Sequence, residues 1–352
     1  MRLVVVGATG NVGTSLLRAV ERDSQITSVL GVARRRPDIL VEKTEWAEAD
    51  VARDELVPLF RGADAVVHLA WAIQPSRDLL ALWRTNVDGS ARVFRAVADA
   101  GVKNLVYASS VGAYSPGPKD RAVDESHPTN GIPSSFYARH KAEVERRLDR
   151  FESEHPDVRV VRLRPGLIFK RESATEQRRL FAGPFLPGFF VRPGLIPVVP
   201  DVARLRFQAV HSYDVGEAYR LAATTDVRGA FNVAADPVLD PQELGRALDA
   251  RPLRLPGSVL RAAVDVSWRL RLQPTPPGWI DLALGVPILD TTRARTELGW
   301  KPEHSSVDAI KDVMAGMREG AGLETPPLRG DTMRKRAEEV AQGVGQTDGV
   351  EE

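Results

Sequence analysis

The 352-residue chain contains no cysteine, so it can form no disulfide, carry no catalytic thiol and build no cysteine metal site. That absence agrees with a reducing compartment. Excess charge is missing too. With 48 Lys and Arg against 47 Asp and Glu, no overall field marks a nucleic-acid or membrane-surface binder. No window reaches the roughly 18 apolar residues of a membrane span. The most apolar late region, 181–200, is broken by five prolines and three glycines, which no spanning helix tolerates. The apolar run 3–6 is too short for a signal peptide, so the expected location is cytoplasmic. No metal site is expected either.

What is present is ordinary for a globular protein: 43% hydrophobic and 27% charged residues, with enough chain for a sizeable core. The first half alternates short β-branched runs with helical periodicity. Strands are predicted over 3–6, 28–33, 65–69, 104–109 and 158–164, and helices over 11–22, 79–100 and 134–154. This alternation predicts an α/β chain with a doubly wound parallel sheet, helices covering both faces. Beyond Gly166 the pattern changes. Residues 181–200 read as a loop or lid, 210–225 as strand end and helix, 230–233 as a strand, and 240–322 as shorter helices. The predicted division is a sheet domain over 1–166, with 204–235 returning to it, and a smaller lobe over 167–203 and 236–322. A polar tail over 323–352 is expected to be partly disordered or a lone helix.

The first strand runs straight into Gly7-Ala8-Thr9-Gly10-Asn11-Val12-Gly13, where helical periodicity begins. Glycines let the backbone turn sharply and approach a pyrophosphate, and the helix N-terminus offers it free N–H groups and a positive dipole end. The G-x-x-G-x-x-G spacing differs by one residue from the G-x-G-x-x-G fingerprint. A ligand-free turn is the plain alternative. Its position between strand and helix points instead to a dinucleotide held by Gly7, Thr9, Gly10, Asn11, Val12 and Gly13. Asp50-Val51, after a third strand, would meet the adenine, and Leu69-Ala70 would close the fourth strand at the ligand-bearing carboxyl edge. His68 is read as a strand-end histidine, not a catalyst. The second strand ends in Ala33, where an NAD-preferring site carries an acid, and Arg34-Arg35-Arg36 follow. Guanidinium groups match a 2′-phosphate, so NADP(H) is favoured over NAD(H), with Arg34 the first partner and Arg35 the second.

Tyr137-Ala138-Arg139-His140-Lys141 puts tyrosine and lysine four apart, on one helix face. A phenol titrates near 10, so a nearby ammonium is needed to favour the phenolate. Tyr137 could then exchange a proton with an alcohol or carbonyl while hydride moves to or from nicotinamide. Lys141 can also hold the nicotinamide ribose. A solvated lysine on a surface helix is the plain alternative. Ser109-Ser110 ends the fifth strand just upstream, and Ser110 is preferred as the hydroxyl that polarises the substrate oxygen.

In order, these segments resemble the extended short-chain dehydrogenase/reductase family, in its NAD(P)-dependent epimerase/dehydratase group, over about residues 1–322. Further matching segments are Thr85-Asn86-Val87-Asp88-Gly89, Arg164-Pro165-Gly166, Val210-His211-Ser212-Tyr213-Asp214-Val215 and Leu298-Gly299-Trp300-Lys301-Pro302. The resemblance implies a Rossmann-type sheet of about seven strands with a smaller C-terminal substrate lobe. It implies Ser110, Tyr137 and Lys141 as catalytic, Asn86 in support, Pro165 beside the cofactor, and Arg206 on a nucleotide-sugar phosphate. One departure counts against a nucleotide sugar. Sugar epimerases of this family carry asparagine three residues after the arginine of the sixth strand, and here Leu167 follows Arg164.

Three functions follow. One is an oxidoreductase for a less polar carbonyl or alcohol, and another a nucleotide-sugar 4-epimerase with no net cofactor turnover. The third is a non-catalytic dinucleotide sensor, which the intact Ser110, Tyr137 and Lys141 set opposes. The partner expected is a small molecule, with no nucleic acid or membrane, and homodimerisation stays open.

Overall fold

The computed structural model describes residues 1–181, 183–185 and 196–345. Among these, seven strands form one sheet: β1 (Arg2–Val6), β2 (Ser28–Ala33), β3 (Thr44–Glu48), β4 (Ala65–His68), β5 (Asn104–Ala108), β6 (Arg159–Pro165) and β7 (Gly229–Val233). Their spatial order is β3-β2-β1-β4-β5-β6-β7, every pairing parallel. The winding direction reverses at β1, which opens a crevice beyond the carboxyl ends of the strands.

The β1 sequence shows why this sheet is buried on both faces. Leu3 and Val5 enter one apolar layer with Leu16, Leu17 and Val20 of α1 (Asn11–Glu21) and Ala218 and Ala222 of a helix over Ser212–Thr224. Val4 and Val6 enter the other layer, with Val93, Phe94 and Val97 of a helix over Gly89–Asp99 and Val144 and Leu148 of one over Phe136–Glu154. Alternate residues face opposite sides, so a strand with both faces covered must be apolar throughout. Each such side chain contributes roughly 1.5–3 kcal/mol. The edge strand β3, TEWAE, is only half-buried or exposed along its length.

Three predicted segments differ in the structure. The helix predicted over 79–100 is interrupted by a π turn at Arg84–Asp88, between Leu79–Trp83 and Gly89–Asp99. The 181–200 segment is not all loop: Phe181 ends a helix from Ala174, and Val198–Asp201 pairs in parallel with Arg251–Arg254. Residues 182 and 186–195, which include Phe189, lie outside the described residues.

The polar 323–345 segment is docked rather than free. A 3-10 turn, Pro326–Leu328, leads to a helix over Met333–Gln342, and Thr325 and Leu328 are fully buried. Buried Arg178 holds this segment through Asp331 at 3.1 Å and Glu339 at 2.7 Å. Ion pairs do the docking here, and an ion pair leaves no apolar periodicity in the sequence. Among the described residues no helix is long and apolar enough to cross a membrane.

Candidate active site

The glycine turn separates into two structural demands and one left over. Gly7 has φ +90°, and a Cβ there would lie 2.6 Å from the Ala70 amide nitrogen. A Cβ at Gly13 would lie 2.4 Å from the Gly7 carbonyl oxygen. Both glycines are required by packing. Gly10 is not: its Cβ would meet nothing nearer than that same oxygen at 3.5 Å. It caps α1 with no side-chain bond and lines a cavity together with Asn11, Val12 and Gly13. The Asn11 Oδ1 atom is enclosed beside it without a partner. Open backbone and free helix N–H groups fit the pyrophosphate of a dinucleotide, whereas the Asn11 amide oxygen, an acceptor, needs a donor there.

The other cofactor candidates surround this turn less directly. Leu69 and Pro165 line the cavity, and Ala70 packs on Gly7. Thr9 is buried and outside the cavity wall. Asp50 accepts the Ala52 amide at 2.8 Å, and Val51 is buried against Gly89. Arg34 and Arg35 are exposed just past the end of β2.

The helix over Phe136–Glu154 begins where Ser135 accepts the Ala138 amide. Half-buried Tyr137 and buried Lys141 and Glu145 then follow at four-residue intervals along one face. Tyr137 lies edge-on to Trp71 at 5.9 Å and tilted against Trp279 at 5.1 Å. Ser110 hydrogen-bonds Tyr137, and its hydroxyl oxygen accepts the Gly112 amide at 3.0 Å. A Cβ at Gly112 would press to 2.8 Å from the Tyr137 ring. Ser109, which also lines the cavity, instead donates to Glu145 at 2.5 Å.

Lys141 lines the same cavity as Tyr137. Its Nζ donates to the Ala108 carbonyl at 2.6 Å and lies 3.4 Å from the Trp71 ring centroid, against 5.9 Å from that of Tyr137. Burial pushes the Lys141 ammonium well down, against the pull of Glu145. Burial also pushes the Tyr137 phenol up to about 12, against its Ser110 bond. The phenol therefore keeps its proton at neutral pH.

Two polar residues hold the surroundings. Asn86, in the π turn, accepts the Ala72 amide at 2.7 Å and donates to the Ala72 carbonyl at 3.0 Å. It thus fixes the loop that carries Trp71. Buried His68 bonds Ser90 at 2.9 Å, and burial, with the Lys141 charge, pushes it down to about 3. It stays neutral. Glu145, missed in the sequence, binds Arg162 at 2.8 Å and Arg164 at 2.9 Å, and so anchors the Tyr137 helix to β6.

The cavity spans about 330 Å³ and runs from the glycine turn past Ser110 and Tyr137. Beyond Tyr137 its wall is mostly apolar, with Leu167, Leu180, Leu205, Phe207, Trp279 and Leu282. Arg206 lies between Leu205 and Phe207, outside the residues of that wall, and its Nε is enclosed without a partner. Its carbonyl accepts Lys119 at 2.7 Å. Gln208 is committed to the Leu289 backbone at 2.7 Å. Half-buried Glu176 has one carboxyl oxygen enclosed without a partner, and burial pushes it up to about 7 against the charges of Lys170 and Arg179. Trp71 sits just beyond a strand end, a position the strand-edge rule could have singled out; Glu176 carried no signal.

The model of the NAD dependent epimerase/dehydratase family matches residues 3–234. An uncharacterized protein of Mycobacterium tuberculosis is 27% identical over 330 residues, covering 89% of this chain and 83% of that protein. The NAD-dependent glucose-6-phosphate dehydrogenase of Haloferax volcanii is 30% identical over 192 residues, 50% of this chain and 72% of that enzyme. The solved UDP-glucose 4-epimerase of Thermotoga maritima with UDP-glucose aligns at TM-score 0.68 and 20% identity, over 91% of this chain and 99% of its own. At that identity the likeness shows the fold alone.

Proposed function

The chain belongs to the NAD dependent epimerase/dehydratase family, and within it we propose an NADP(H)-dependent reductase or dehydrogenase interconverting a carbonyl and a secondary alcohol on a largely apolar substrate. The apolar wall beyond Tyr137 carries this reading. Leu167 lines the cavity where a sugar epimerase would present asparagine, and the Arg206 side chain is outside the wall. A sugar diphosphate would find few polar partners there, and its desolvation would go uncompensated.

In this reading Gly7, Gly10, Asn11, Val12 and Gly13 hold the pyrophosphate, and Lys141 holds the ribose. When bound, the nicotinamide supplies or accepts hydride. Tyr137 gives its phenolic proton to the substrate oxygen on reduction and takes it back on oxidation, a role that contributes about 10²–10⁴-fold. Ser110 donates a hydrogen bond to the same oxygen. The lobe over 167–203 and 236–322, with Leu205 and Phe207, would supply the walls that exclude water. NADP(H) is preferred because β2 ends at Ala33, with exposed Arg34 and Arg35 next. Action in a reducing cytoplasm belongs to the same proposal and rests on the absence of cysteine.

The test is NADPH oxidation, followed by nicotinamide absorbance, with a panel of aryl and alkyl ketones, and UDP-glucose assayed separately for epimerisation. Turnover of apolar ketones is expected. Epimerisation of UDP-glucose without net cofactor change, and no ketone turnover, would replace this reading with the epimerase.

A further inference from the structure

Lys170 follows the short strand Leu167–Phe169 and is 1% exposed. Its three hydrogen-bond acceptors all belong to the first turns of α1: the Asn11 carbonyl at 2.9 Å, Thr14 Oγ1 at 2.7 Å and Ser15 Oγ at 3.0 Å. All three are neutral. Among the described residues no carboxylate lies within ion-pair distance of Nζ. The Ser15 hydroxyl is held in turn by Ser212 at 2.8 Å.

This is a costly place for a cation. Burial removes its hydration, and the positive end of the α1 dipole repels it. A methionine would fill the same space without either penalty. The turn that Lys170 grips is the one whose other side, Gly10 to Gly13, lines the cavity. A charge behind that turn acts on an anion in front of it through protein rather than water, where screening is weak.

We propose that Lys170 is a buried electrostatic anchor for the cofactor pyrophosphate, a positioning residue that acts through the first turns of α1. It sets how tightly, and over which pH range, the dinucleotide binds. This rests on the cofactor reading above. The groups around Nζ fix the pH range. Glu172 and Glu176 pull its titration up and Arg18 pushes it down, while Tyr213, whose ring centroid is 5.7 Å away, gives its hydroxyl to Glu172. Burial outweighs them and brings the ammonium down to about 8. An anion in the turn favours the protonated form, so affinity is full below that pH and declines above it.

The experiment titrates tryptophan fluorescence with NADPH, ADP-ribose and adenosine on either side of pH 8. Lys170→Met is expected to weaken NADPH and ADP-ribose about tenfold, equivalent to about 1.4 kcal/mol, and to leave adenosine unchanged. Wild-type affinity for ADP-ribose should fall above pH 8, Lys170→Met should lack that fall, and Lys170→Arg should retain tight binding at high pH. Unchanged ADP-ribose affinity in Lys170→Met overturns the proposal. So does an equal loss for adenosine and ADP-ribose with the wild-type profile retained, which would mark a structural prop. If Lys170→Met does not fold, a flat wild-type profile still overturns it. Failure of the wild-type protein to bind any of the three compounds would instead overturn the cofactor reading.

Discussion

Ser109 and Ser110 are adjacent in the chain and committed to different partners: Ser109 donates to buried Glu145 at 2.5 Å, while Ser110 bonds Tyr137 and accepts the Gly112 amide at 3.0 Å. Ser110→Ala should lower kcat about 10²–10³-fold, as for the loss of one preorganised donor, a loss of rate far beyond the modest fall in Tm from leaving the Gly112 amide unpaired. Ser109→Ala should lower stability by about 1–3 kcal/mol, because a buried acceptor loses its partner. Denaturation and steady-state rates on both variants check this, and the opposite pattern would exchange the two roles.

Tyr137→Phe should lower kcat by about 10²–10⁴-fold and leave NADPH affinity near wild type. With the phenol pushed up to about 12, carbonyl reduction should be flat across neutral pH and alcohol oxidation should keep rising into the alkaline range. An oxidation plateau at neutral pH would show that Lys141 does create the phenolate there.

Glu145 ties the Tyr137 helix to Arg162 and Arg164 and is fully buried. Glu145→Gln leaves both cations without their shared partner and should cost about 3–5 kcal/mol in urea unfolding. Burial raises this carboxyl, but the Arg164 bond and the two arginine charges outweigh it and hold it down at about 2. The folded form thus favours the ionised acid. The contribution is complete above the ordinary 4.5 and is lost as pH falls toward 2, and in Glu145→Gln that part of the acid transition should disappear.

Ending the chain at Gly322 removes Asp331 and Glu339 and strands Arg178. The shortened protein should lose about 3–5 kcal/mol, and Arg178→Met in the shortened chain should recover part of it. Equal Tm values for the full and shortened chains would show that the docked segment contributes nothing.

Arg34→Ala should weaken NADPH about tenfold, the size of a lost charge-assisted bond, and leave NAD⁺ unchanged. Equal wild-type affinity for the two cofactors, with no response in Arg34→Ala, would reject the 2′-phosphate contact.

Most of the sheet was legible because its inner strands are largely apolar and the crossover helices are amphipathic, while the polar, half-exposed edge strand β3 carries no such signal. The site's central residues were legible where local rules apply: a glycine turn after a strand, a tyrosine and lysine one turn apart, a serine at a strand end. Glu145 and Lys170 were not, since a buried charge looks like any surface charge until its partners are known. Arg206 was legible only as a motif match. Its neighbours Leu205 and Phe207 take the two cavity-facing positions, and a sequence match cannot say which side of the backbone a residue occupies.

The sheet also has a history in time. β6 ends at Pro165, but its outer neighbour β7 begins only at Gly229, after a long intervening stretch of chain. At a synthesis rate of roughly 5–20 residues per second, a nascent chain carries β6 as an open edge for on the order of several seconds. An exposed apolar edge is a template for pairing with a stranger. Arg162 and Arg164 place charges along that strand, and Glu145, on a helix made before it, is already there to pair with both while the edge waits for β7.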